Sequence, residues 1–67
     1  MKITAQDGVV YYVNGVEMRN NTIYGEMKTE KVELGRYPNL RRTCEVLSEL
    51  TYIGWNDENG TYEMPIS

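Results

Sequence analysis

Histidine and phenylalanine are absent from this chain, and cysteine occurs once. Without histidine, no side chain has an unperturbed pKa near neutrality, and the commonest metal ligand is missing. A single cysteine, Cys44, rules out an internal disulfide and a thiolate metal cage, which fits a reducing cytoplasm better than secretion. No early apolar stretch of the export type is seen, and no run approaches the roughly 20 apolar residues of a membrane span. The Asn20-Asn21-Thr22 and Asn59-Gly60-Thr61 sequons are therefore expected to be chance matches. No glycine pattern fits a phosphate loop. Asp57-Glu58-Asn59-Gly60 lacks the alternating ladder and closing glutamate of a calcium loop.

What is present is one small domain, residues 1–67, with room for one core. A chain this short buries only about 60% of its unfolded surface, so partners or self-association would add much to its stability. Seven Lys and Arg stand against ten Asp and Glu, a balance that argues against nucleic acid as the partner. The aromatic content is six tyrosines and one tryptophan. Tyrosine tolerates half-wet positions and is enriched at interfaces.

The first 35 residues read as β-structure. Met1 to Ala5 forms a first strand with Ile3 and Ala5 on one face. Gln6-Asp7-Gly8 is a turn in which Gly8 takes the left-handed position. Val9 to Val13 (VVYYV) is β-branched and aromatic throughout. Asn14-Gly15 supplies a type I′ hairpin pair, which sets Val13 opposite Val16 and Tyr11 opposite Met18. A second tight turn at Asn20-Asn21 pairs Met18 with Ile23 and Glu17 with Tyr24. A third at Thr29-Glu30 sets Met27 against Val32 and Gly25 against Leu34. All these pairings keep one apolar face, as a half-buried antiparallel sheet requires. The last hairpin is the awkward one, because it places Glu26 opposite Glu33 and Lys28 opposite Lys31.

One helix follows, over residues 39–53. Asn39 is its N-cap, and Leu40, Thr43, Val46, Leu47, Leu50 and Ile53 make an apolar stripe at spacings of three and four. Gly54 is a C′ stop, with Trp55 folding back over the helix end. Residues 56–67 are a polar loop and a C-terminal tail or short strand. The expectation is an α+β domain: an antiparallel β-meander of about five strands (residues 1–35) with one α-helix packed on one face.

Two surfaces stand out. Arg36, Arg41 and Arg42 cluster around the first helical turn, where cations oppose the helix dipole. They would suit a bound anion, with Tyr37 beside them, or would pair with Glu45 and Glu49 along the helix. Val10, Tyr12, Glu17 and Tyr24 fall on the sheet face away from the helix, as a protein interface or as ordinary packing on a wet face. Cys44 reads as a small residue at the core edge, with no histidine to activate it. The expectation is a protein that is not an enzyme and needs no cofactor or metal.

Leu34-Gly35-x-Tyr37, then Arg42, then Glu45-Val46-Leu47-x-Glu49-Leu50 form a run that resembles small phage and mobile-element proteins of Gram-positive bacteria. In those proteins a strand ending LGxY leads into a helix of the type ERAxEVLxEI, and the chain closes near YxMP. Tyr62-Glu63-Met64-Pro65 stands in that last place, and the opening MKI-x-x-QD also matches. The chain departs at Arg41, where the pattern has an acid, and at Thr43, where it has alanine. No catalytic residues come with the resemblance. Together with the small size and the Val10/Tyr12/Tyr24 patch, which favour self-association, the resemblance implies a cytoplasmic binding protein that blocks a host component such as a defence factor. The alternatives are an oligomeric sponge for an anionic small molecule such as a signalling nucleotide, or a structural accessory protein.

Overall fold

The computed structural model describes residues 1–56 and 60–67, except for the side chains of Trp55 and Asn56. The expected packing of Trp55 and most of the 56–60 loop lie outside the described residues. Among these residues, six strands and one helix follow in the order β1 (Lys2–Thr4), β2 (Val10–Tyr12), β3 (Gly15–Arg19), β4 (Thr22–Glu26), β5 (Lys31–Arg36), α1 (Leu40–Asn56) and β6 (Thr61–Glu63). The α+β class with a single helix is as expected. The arrangement of the strands differs, because the meander is broken into two three-stranded sheets, β2-β1-β6 and β3-β4-β5. Within the first, β1 pairs antiparallel with β2 and parallel with β6.

The break falls at Asn14-Gly15. Neither residue takes the positive φ that a type I′ turn needs at both central positions. Instead the chain passes from one sheet to the other: the Val13 N–H donates to Met1 O at 2.8 Å, and the Asn14 N–H donates to Glu26 O at 2.8 Å. Burial is the competing force. Val13 is buried, and its Cγ1 lies 2.6 Å from where a Cβ on Gly25 would stand. It therefore fits only above a residue without a side chain. A hairpin would have kept the local turn at the cost of that packing.

Other local signals hold. Gly8 has φ +87°, with the Gly8 N–H bonded to Ala5 O and the Ala5 N–H to Val9 O. Asn20 takes φ 52°, and β3 and β4 pair Met18 with Ile23 and Glu17 with Tyr24 as expected. The third hairpin closes differently, with the Met27 N–H donating to Glu30 O at 2.8 Å. That sets Gly25 opposite Val32, Glu26 opposite Lys31 and Tyr24 opposite Glu33. The shift replaces the expected like-charge pairs with an opposite-charge one. A bulge follows between Ile23 and Tyr24, with the buried Leu34 as the extra residue of β5, and beyond it Ile23 stands opposite Gly35.

Both sheets and the helix share one core: Ile3, Ala5, Val13, Ile23, Leu34, Tyr37, Val46, Leu50, Tyr62 and Met64. The helix starts at its N-cap, the Arg42 N–H donating to Asn39 Oδ1 at 2.8 Å. Thr43, Val46 and Leu50 are fully buried, but Leu40, expected on the same stripe, is 57% exposed. It lies at the first position of the helix, three residues before the buried Thr43. Gly54 does not stop the helix, which runs on to Asn56. Its missing side chain makes room for Met1, whose Sδ lies 2.6 Å from where a Cβ would be.

One side-chain amide joins the ends of the chain. Gln6 Oε1 accepts from the Arg36 N–H at 2.8 Å, and Nε2 donates to Arg36 O, Pro65 O and Ile66 O at 3.1, 2.9 and 3.0 Å. An amide carries two such hydrogens, so one is shared between two carbonyls.

A test of the break is Gly25→Ala. In an ordinary strand this change is neutral or stabilising. Here it is expected to lower stability by about 1–3 kcal/mol, since Val13 and Leu34 must both move. Val13→Ala in the same chain should recover part of that loss, read as non-additive urea midpoints.

Candidate protein-binding face

Alternation along the first sheet separates an inner row from an outer one. Ile3, Tyr11 and Tyr62 point into the core. Lys2, Thr4, Val10, Tyr12, Thr61 and Glu63 form the opposite face, as two rows that run Tyr12-Lys2-Thr61 and Val10-Thr4-Glu63 across the strands. Tyr12 is 70% exposed and Val10 43% exposed, although both sit in regular strand. Beside them, an open depression of about 310 Å³ is lined by Lys2, Thr4, Thr61, Tyr62 and Glu63. Lys2 makes no ion pair among the described residues. The face therefore offers a phenol, a branched aliphatic, one cation and one carboxylate, with two threonines between.

Of the four residues expected at an interface, Val10 and Tyr12 lie on this face, whereas Glu17 and Tyr24 lie on the other sheet, directly paired across β3 and β4. The expectation that all four share one sheet face is thus corrected, because β2 and β3 do not pair. Glu17 is engaged by Lys31, whose Nζ reaches Oε1 at 2.8 Å. The Lys31 hydrogen bond and charge hold the Glu17 carboxyl below its ordinary pKa. Lys2, Thr4 and Glu63 escaped the sequence reading as members of one surface. The out-in-out pattern of Thr61-Tyr62-Glu63 marks a strand, but nothing local reveals that it lies parallel to β1.

The arginine cluster is only partly free. Tyr37 is buried, with its hydroxyl donating to Pro65 O at 2.9 Å, its N–H to Asn21 O at 2.8 Å, and its own carbonyl accepting from Asn21 Nδ2 at 2.7 Å. A ring held in this way supports the fold and has no face for stacking a base. Arg42 donates from Nε and Nη2 to Ser67 O at 3.2 and 3.1 Å and approaches Glu45 at 3.8 Å. Arg36 is exposed, with Glu33 at 3.3 Å. Arg41 is exposed and has no ion pair among the described residues. The Asn39 carboxamide already occupies one N–H of the helix start, the group an anion would also seek.

Cys44 is exposed, its Sγ 3.8 Å from Met18 Sδ. Among the described residues there is no group of three or more His, Cys, Asp or Glu that could hold a metal ion. No helix of the described residues is long and apolar enough to cross a membrane. No protein-family model, curated protein or solved structure matches this chain.

Two buried phenols have raised pKa values. Burial raises that of Tyr37. Burial raises that of Tyr62 further, reinforced by Glu49, whose Oε1 accepts the Tyr62 hydroxyl at 2.8 Å. Both ionise later in the folded chain than in the unfolded one. Their contribution to stability is therefore fully present below pH 10.0, the ordinary tyrosine value, and is lost as pH rises through the folded-state values. Urea midpoints measured between about pH 8 and 11 should fall, and Tyr62→Phe should flatten that fall while lowering the midpoint at pH 8.

Proposed function

We propose that this chain is a non-catalytic protein-binding module that works by occupying a host protein in a bacterial cytoplasm, in keeping with its resemblance to small phage and mobile-element proteins. The observation that carries this reading is the outer face of the β2-β1-β6 sheet, where Tyr12 and Val10 stand exposed on regular strand around Lys2. Exposed aromatic and aliphatic side chains on a rigid strand lose little freedom when covered, which is what a binding anchor needs. Among the described residues the titratable groups with shifted pKa values are Glu17, Tyr37 and Tyr62, and each is accounted for by contacts that hold the fold.

A second reading has one observation behind it. Arg41 stands exposed in a first helical turn that contains no acidic residue, and Arg36 is exposed nearby in sequence. These two cations would serve a sponge that sequesters an anionic small molecule, with Tyr37 holding the fold beneath them.

The two readings separate by affinity capture from bacterial lysate alongside native mass spectrometry. Tyr12→Ser should lose a captured protein that wild type and Arg36→Glu/Arg41→Glu both retain. A small mass released on denaturation, absent from Arg36→Glu/Arg41→Glu, would instead establish the sponge.

A further inference from the structure

Each sheet of this fold has two edges, and natural proteins guard such edges with charge, proline or bulges because unpaired strands bind other strands. Three of the four edges here are guarded. β3 carries Glu17 and Arg19. β5 carries Lys31, Glu33 and Arg36, and a bulge interrupts its pairing with β4. β6 carries Glu63 and is followed two residues later by Pro65. β2 has none of these devices, and its flanks Val9 and Val13 are also uncharged.

The backbone of β2 is open in the matching places. The Ala5 N–H bonds to Val9 O, the Val13 N–H to Met1 O and the Met1 amino group to Val13 O. Residues 9, 11 and 13 thus turn their backbone groups toward β1, in the alternation of an antiparallel ladder. The N–H and C=O of Val10 and Tyr12 point the other way, and β2 has no strand partner on that side among the described residues.

We infer that β2 pairs antiparallel with β2 of a second copy of this chain, about a two-fold axis at Tyr11. Val10 of one copy then faces Tyr12 of the other, exchanging N–H···O=C bonds in both directions, and the two three-stranded sheets become one six-stranded sheet. The choice of a second copy over a foreign strand rests on charge. A chain of net charge −3 meets itself here along a strand with no charged residue, so no like charges are brought opposite one another. The pairing is also self-complementary and closes after one partner, so it ends at a dimer rather than a fibre.

This inference deepens the binding reading above. Strand pairing lies in the plane of the sheet, whereas the side chains of Val10 and Tyr12 stand out of it. Dimerisation gathers both copies of Val10 and Tyr12 at the centre of one continuous face, the place where binding energy concentrates. So short an edge covers less than the roughly 800 Å² per partner of a standard interface, so the dimer is reversible and concentration-dependent.

The test is sedimentation velocity from roughly 10 µM to 1 mM, the span in which weak interfaces populate. Wild type is expected to move from monomer to dimer. Val10→Pro, which removes an outward N–H that the monomer leaves unbonded, is expected to stay monomeric with its circular dichroism unchanged. If Val10→Pro is unfolded, the decision passes to Val10→Lys/Tyr12→Lys, which sets lysines opposite one another across the axis and should also remain monomeric. A wild type that is monomeric throughout, that grows into open-ended assemblies, or whose dimer survives in whichever of these variants folds would overturn the inference. A monomeric wild type whose protein capture is still lost in Tyr12→Ser would overturn the dimer and leave the binding reading standing. A wild-type dimer lost in the variants, with no protein captured, would do the reverse.

Discussion

Val13 packs over Gly25, and the path of the chain between the two sheets follows from that contact. The strongest local turn signal in the chain, Asn14-Gly15, lies immediately after Val13, and it is overridden. A β-branched side chain that reaches the shared core removes roughly 2 kcal/mol worth of apolar surface from water, and the position opposite it is open only because residue 25 is glycine. Once Val13 is seated there, β2 cannot curl back onto β3. The chain instead crosses between sheets, with its backbone bonded on one side to Met1 and on the other to Glu26. The vacated edge of β2 and the exposed face beside it both follow from that crossing.

A second constraint holds the far ends together. β6 joins β1 in parallel, a pairing with no turn to set its register. Its register is fixed by side chains: Tyr62 is anchored to Glu49 on the helix, and Tyr37 and Gln6 take the carbonyls of Pro65 and Ile66. The Gln6 amide and the Tyr37 hydroxyl both crowd against Gly35, where a Cβ would lie 3.1 Å from the Gln6 side-chain carbon and 2.8 Å from the phenol oxygen. Here too a glycine in a strand marks a place where something must approach the backbone closely.

What was legible in the sequence follows a physical division. Features set by neighbours in the chain were readable: the left-handed Gly8, the Asn20-Asn21 turn with its β3–β4 register, the Asn39 cap, and the strand and helix periodicities. Features set by distant packing were not. The like-charge clash of Glu26 with Glu33 was itself a warning, since the structure resolves it by moving the register until Glu26 meets Lys31. No pattern next to Asn14-Gly15 could show that β2 and β3 separate, because the reason lies in the more distant Gly25 and in a strand that follows the helix. The candidate sites divide in the same way. Alternation alone was enough to place Val10 and Tyr12 on an outer sheet face. Tyr37 and Arg42 carried the right chemistry for a ligand, but their hydroxyl and guanidinium groups are spent on Pro65 and Ser67.

Amide hydrogen exchange resolved by residue shows whether β2 is an edge strand whose outward backbone is open. In dilute solution the amides of Tyr11 and Val13 should be protected by their bonds to β1, while those of Val10 and Tyr12 exchange freely. A meander in which β2 lay between β1 and β3 would protect all four. Protection of Val10 and Tyr12 in the dilute monomer would therefore contradict the account.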